Sequence, residues 1–299
     1  MSNFVKKKTF FTAGLICSLL LLVSFFGDLK ISNIAINYSS WFGTLFQTFG
    51  EFPVYFIFVL SGEILIAYSI RKKASFFFFP ILLGGIGISL WQAKSYSNEV
   101  LSYILSIMSN IENHKEIGLA NSDSNVMQPS IFLSVVTWIG IYTIVTLLSQ
   151  YWLNKKDDNQ LENLLKIAVF ASLTVFLSLE VNHALKDFWG RVRPYELSSS
   201  QKEFTSWIYP NGINGHKSFP SGHTMAATLM IVFSWFSSSR TNHKRLWTFG
   251  IAYGALMGIS RVIIGAHFVS DVVFSYFLTA FIIYIIREIY TCLNLSDDI

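Results

Sequence analysis

Apolar runs of membrane-spanning length, separated by short polar connectors, repeat along the chain. They fall at about 9 to 27, 52 to 70, 74 to 93, 130 to 153, 164 to 184, 222 to 239, 246 to 263 and 268 to 286. Each approaches the roughly 20 apolar residues that carry a helix across a hydrocarbon layer roughly 30 Å thick. Strands crossing a membrane would show short alternating segments instead. The pattern predicts an all-α fold, a polytopic membrane bundle of about eight transmembrane helices.

Two connecting segments carry stripes of helical period. "SSWFGTLFQTFGEF" (39 to 52) sets Trp41, Phe42, Leu45, Phe46 and Phe49 on one face, and "EVLSYILSIMSNIENHKEIG" (99 to 118) does so with Leu101, Ile104, Leu105, Met108 and Ile111. Such stripes suit helices packed on the spans or lying in the membrane interface, where they could help a lipid reach a site. Glu63, inside the second run, marks either an ion path or a buried carboxyl held by a neighbouring helix.

Composition sharpens the class. The 299 residues are 52% hydrophobic, 16% aromatic and only 13% charged, and mean hydropathy is +0.47, far more apolar than a soluble domain. The net charge of +4 comes largely from topogenic clusters. Lys6 to Lys8, Arg71 to Lys73, Lys155 with Lys156, Arg240 with Lys244 and Arg245, and Arg287 all fall on one side of an eight-span bundle, and that side is cytoplasmic. The charge therefore gives no argument for nucleic acid. The first run follows Lys6 to Lys8 as a signal peptide would, but no small-residue cleavage site follows, so it reads as an anchor. Cys17 and Cys292 are placed for neither a disulfide nor a zinc pattern. With no linker or repeat, one integrated membrane domain is expected: residues 1–160 an N-terminal transmembrane region with interfacial helices, and 161–299 a core carrying the chemistry.

The opposite loops hold basic residues that topology does not explain: Lys186, Arg191, Arg193, Lys202, Lys217 and Arg261. Three segments gather most of the unexplained polarity, "LKDFWGRVRPYE" (185 to 196), "SFPSGHT" (218 to 224) and "SRVIIGAHFVSD" (260 to 271). In the first, Lys186, Arg191 and Arg193 crowd a helix end that Pro194 stops, as a snorkelling cluster or an anion site. In the second, Ser221 and Gly222 precede a helix whose free N–H groups suit phosphate, although Ser221 also reads as a plain N-cap. His223 beside that end can exchange a proton near neutral pH. In the third, Arg261 is a forked phosphate donor. His267 and Asp271, at i and i+4, pair as an oriented imidazole if helical. No carboxylate cluster or Cys/His set of metal-ligand spacing accompanies them, so lysine and arginine are expected to do a metal's work on a phosphoryl group.

These segments resemble the tripartite signature of the type 2 phosphatidic acid phosphatase superfamily: Lys, six residues, Arg-Pro; Pro-Ser-Gly-His; and Ser-Arg, five residues, His, three residues, Asp. Here they read Lys186 to Arg193-Pro194, Pro220 to His223, and Ser260-Arg261 to His267 to Asp271. The resemblance covers about residues 164 to 287 and implies a six-helix-type core within the larger bundle. It further implies metal-independent chemistry without a cofactor. His267 would be the nucleophile forming a phosphohistidine, Asp271 would orient it, and His223 would protonate the leaving oxygen. Lys186, Arg193, Ser221, Gly222 and Arg261 would hold the phosphate, with Arg191 left as a headgroup contact. The partners implied are a lipid phosphate substrate and membrane lipids. Undecaprenyl diphosphate, phosphatidylglycerophosphate and phosphatidic acid are candidates, met on the extracytoplasmic face. Phosphotransfer to another hydroxyl, and non-catalytic binding of an anionic lipid, are the competing readings.

Overall fold

The computed structural model describes residues 3–73, 75–121 and 127–293. The described residues are helical apart from turns: α1 (Asn3–Ala35), α2 (Trp41–Phe49), α3 (Phe52–Arg71), α4 (Phe78–Glu112), α5 (Ile131–Leu153), α6 (Asp158–Trp189), α7 (Gly222–Thr228), α8 (Arg240–Ile263) and α9 (Val269–Cys292). A 3-10 segment, Leu229–Phe236, continues α7. The side chains of Lys6 to Lys8, and residues 294–299 of the expected core, lie outside what is described.

Local chemistry sets the helix ends. Ser40, Ser130, Asp157, Ser221 and Ser239 each accept from the backbone N–H three residues on, satisfying a donor that the first turn leaves open. Gly190 closes α6 in the left-handed region, φ 49, which side-chain-bearing residues rarely adopt.

The core lies between α3, α6, α9 and the α7 segment, with Ile57, Ile64, Ala171, Val175, Leu229 and Ile286 buried together. α3 and α4 cross where a Cβ on Gly62 would sit 2.6 Å from the Gly85 carbonyl oxygen, and small residues at such crossings let membrane helices approach. Beside the crossing, buried Glu63 accepts from Ser89 (2.7 Å), Thr146 (2.8 Å) and Gln150 (2.8 Å). Its contacts are those of a carboxyl held by neighbouring helices, and they tie α3 to α4 and α5.

Two of the expected runs fall short of the length or hydropathy of a membrane span. Among the described residues, six helical stretches are long and apolar enough to cross: Phe11–Ala35, Trp41–Arg71, Ile131–Leu153, Asp158–Glu196, Arg240–Ile263 and Val269–Cys292. The expected sixth run is Gly222–Phe236, which is shorter and reaches roughly 25 Å by its α and 3-10 rise. It is apolar because protein surrounds it on nearly every side. The expected third run is the first half of α4, which continues unbroken through the 99 to 118 stripe as far as Glu112. That stripe is thus mostly the end of a long helix.

α2 forms as expected but faces opposite to a soluble helix. Gly43, Thr44, Gln47 and Thr48 are buried, whereas Trp41, Phe42, Leu45 and Phe49 are exposed. The apolar stripe faces outward, and the polar face turns toward the end of α8.

Candidate active site

Backbone hydrogen bonds join the three signature segments at one end of the bundle. Tyr195 N donates to Gly265 O (3.0 Å), Ser218 N to Arg191 O (2.9 Å) and Ser221 N to Asp271 O (3.2 Å). The stops of α6 and α8 and the starts of α7 and α9 are therefore held together by main chain, and their side chains share one space.

His267 lies in the turn between α8 and α9, so the pair with Asp271 is not the helical i, i+4 contact that the spacing suggested. Asp271 occupies the first turn of α9, and its Oδ2 lies 3.6 Å from His267 Nδ1. That is an ion-pair approach, longer than a hydrogen bond. The carboxylate is held by Ser218 Oγ (2.6 Å), Phe268 N (2.8 Å) and Arg191 Nη1 (2.5 Å). Burial pushes the His267 imidazole down to about 3; the Arg193 and Arg261 charges add to this, and Asp271 opposes it. A ring held neutral, with Nδ1 toward a carboxylate, keeps Nε2 as a nucleophile.

Arg191 is not a headgroup contact. It is fully buried and donates to Thr205 O (2.9 Å), Ser270 Oγ (2.8 Å), Asp271 Oδ1 (2.5 Å) and Asp28 Oδ2 (3.0 Å). Its guanidinium also stacks on Phe268, 4.3 Å from the ring centre. Asp28, on α1, takes further bonds from the backbone N–H (3.0 Å) and the hydroxyl of Ser270. Four of its five N–H donors are taken in this way, and it fixes Asp271.

The remaining cations surround the start of α7. A Cβ on Gly222 would lie 3.0 Å from the Lys186 ammonium, which places that ammonium against the helix start. Arg261 is fully buried, with Nη1 3.4 Å from Gln47 Oε1 of α2. Arg193 is half-buried and donates to the Tyr195 hydroxyl (2.7 Å). Ser221 caps the helix, accepting from Thr224 N (3.3 Å) and Thr224 Oγ1 (2.9 Å); as acceptor in both, it keeps its own proton to donate. Lys217 pairs instead with Asp187 at the surface (3.3 Å), His216 pairs with Glu196 (3.0 Å), and Lys202 is exposed.

His223 has neighbours that the sequence reading missed. Its Nδ1 lies 3.0 Å from Glu51 Oε1, between α2 and α3, and its Nε2 lies 3.5 Å from the Tyr103 hydroxyl of α4. Glu99 joins them, its ligand atom lying within 4.8 Å of those of Glu51 and His223, and Tyr55 donates to Glu99. The fold thus gathers carboxylates that linear spacing kept apart. Among the described residues, Glu51, Glu99 and His223 bring their ligand atoms close enough together to hold a metal ion. The available signal was the cost of acids in apolar surroundings: Asp28, Glu51 and Glu99, like Glu63, lie in or beside apolar stretches.

At one end of a bundle with six helical stretches long and apolar enough to cross a membrane, among the described residues, two histidines each face a carboxylate, with lysine and arginine nearby. Residues 166–293 match the PAP2 superfamily. It is also similar to phosphatidylglycerophosphatase B of Bacillus subtilis (strain 168), 30% identical over 113 residues, which are 36% of this chain and 50% of that protein. The chain thus spans about half the length of that relative. No solved structure matches it.

Proposed function

We propose that the chain is an integral membrane phosphatase that hydrolyses a lipid phosphate or diphosphate through a phosphohistidine. The observation that carries this reading is the convergence of His267, His223 and Asp271 with Lys186, Arg193 and Arg261 at one end of an apolar bundle. The Arg193 and Arg261 charges act on His267, and those of Arg261 and Lys186 on His223.

The lysine, the arginines, Ser221 and the Gly222 N–H bind and neutralise the phosphate oxygens. His267 Nε2 attacks phosphorus, Asp271 stabilises the ring as it gains charge, and His223 protonates the departing oxygen. Water then cleaves the N–P bond, with His223 taking its proton. The cations supply the charge stabilisation that a metal would give elsewhere, so the reaction is metal-independent. Among substrates, phosphatidylglycerophosphate gains support from the relative's name, and undecaprenyl diphosphate and phosphatidic acid share the reacting group. The site opens on the extracytoplasmic side: Arg71 and Lys72 pair with Asp158 and Glu162 where α3 ends and α6 begins, away from the site, and these are the basic clusters expected in the cytoplasm.

The test is phosphate release from a panel of lipid phosphates by purified protein in detergent. Wild type is expected to turn over with chelator present, and His267→Ala to lose at least about a thousandfold in kcat. Release abolished by chelator would contradict the metal-free route; retained turnover in His267→Ala would contradict the nucleophile.

A further inference from the structure

The reaction just described uses His223 but leaves Glu51, Glu99, Tyr55 and Tyr103 without a role. All come from the region before the signature segments, and all pack on or behind that imidazole. Acids in an apolar bundle are costly unless they do something their neighbours need. The other charges acting on His223 are Arg261 and Lys186, both cations. They suit an anionic substrate but oppose the imidazolium that must deliver a proton, and Glu51 is the carboxylate in contact with the ring to counter them.

We propose that Glu51 is a positioning residue for the acid step: its carboxylate holds His223 Nδ1–H and supports the imidazolium, leaving Nε2 to serve the leaving oxygen. The proposal rests on the phosphohistidine reading above. In the first half-reaction the N–P bond to His267 forms as the P–O bond breaks. The electron pair of the broken bond goes to the leaving oxygen, which takes the Nε2 proton of His223. His223 is then neutral, with Nδ1–H still on Glu51, and in the second half-reaction it takes a proton from water as the N–P bond breaks. Behind it, the Glu99 carboxyl lies within 4.8 Å of that of Glu51. Two carboxyls in such contact share a proton, and Tyr55 donates to the far one. This keeps the Glu51 oxygen nearer the ring as an acceptor. The arrangement repeats, around the second histidine, what Asp271 and Arg191 do around the first.

The test compares leaving groups in the full-length protein. An alkanol oxygen from octyl phosphate must be protonated as it leaves, whereas para-nitrophenolate departs as a stable anion. Glu51→Gln is expected to lower kcat on octyl phosphate by about 10- to 100-fold, with KM within about twofold, and to lower kcat on para-nitrophenyl phosphate by less than about threefold. Equal losses on both substrates, or no loss on octyl phosphate, would overturn the proposal. If Glu51→Gln does not fold, Glu51→Asp, which draws the carboxylate back from Nδ1, carries the same comparison. His267→Ala, run beside them, separates the two ideas: turnover surviving there sinks the phosphohistidine reading, whereas an unselective Glu51→Gln sinks only this one.

Discussion

Arg191 and His267 are both buried, and each faces Asp271. Arg191 is ion-paired with Asp28 and Asp271, and breaking such a pair exposes an uncompensated charge. Arg191→Lys, which loses the fork that reaches Ser270, Asp271 and Asp28 at once, is expected to lower kcat by about 10- to 100-fold through Asp271; steady-state kinetics with KM little changed would check it. His267 is held neutral instead, its pKa near 3 against an ordinary 6.5. A depressed value means the reactive form persists as pH falls below 6.5 and is lost only near 3. Rapid-quench trapping should therefore still find the phosphohistidine at about pH 5, after correction for substrate ionisation; a rate falling with a midpoint near 6.5 would contradict this. At this scale the residue types and spacings of the three segments were legible in the sequence. The partners of Arg191 were not, because Asp28 lies far away along the chain and contributes through packing alone.

At the scale of elements, the hydrophobic pattern located the helices but did not say what each one faces. α5 and the α7 segment are both strongly apolar, yet the most apolar stretch of α5 has no buried residue while the α7 segment is almost wholly enclosed. Hydropathy responds to the absence of water, and lipid and protein interior are alike in that respect. The same ambiguity inverted α2, whose apolar stripe is exposed while Gln47 meets Arg261. Helix pairing, by contrast, turns on small residues. Gly62→Leu forces a side chain into the Gly85 backbone and should cost about 1 to 3 kcal/mol, lowering the melting temperature in detergent. A surface-facing change such as Leu147→Ala should leave it nearly unmoved.

For the whole molecule, orientation is the testable quantity. With Cys17 and Cys292 replaced by serine, a cysteine at Ile213, an exposed position beside the site, should react with a membrane-impermeant thiol reagent added outside intact cells; labelling only after lysis would reverse the topology. The sequence by itself determined that the chain is helical and apolar enough to span a membrane, and which residues are candidates for the chemistry, because apolar length and motif spacing are local properties. Only the tertiary structure decided that Asp28, Gln47, Glu51 and Glu99 belong to the same site. Those residues share no spacing rule with the signature segments. They reach them because burying polar groups in an apolar bundle is favourable only where the groups satisfy one another, and that is settled when distant helices pack.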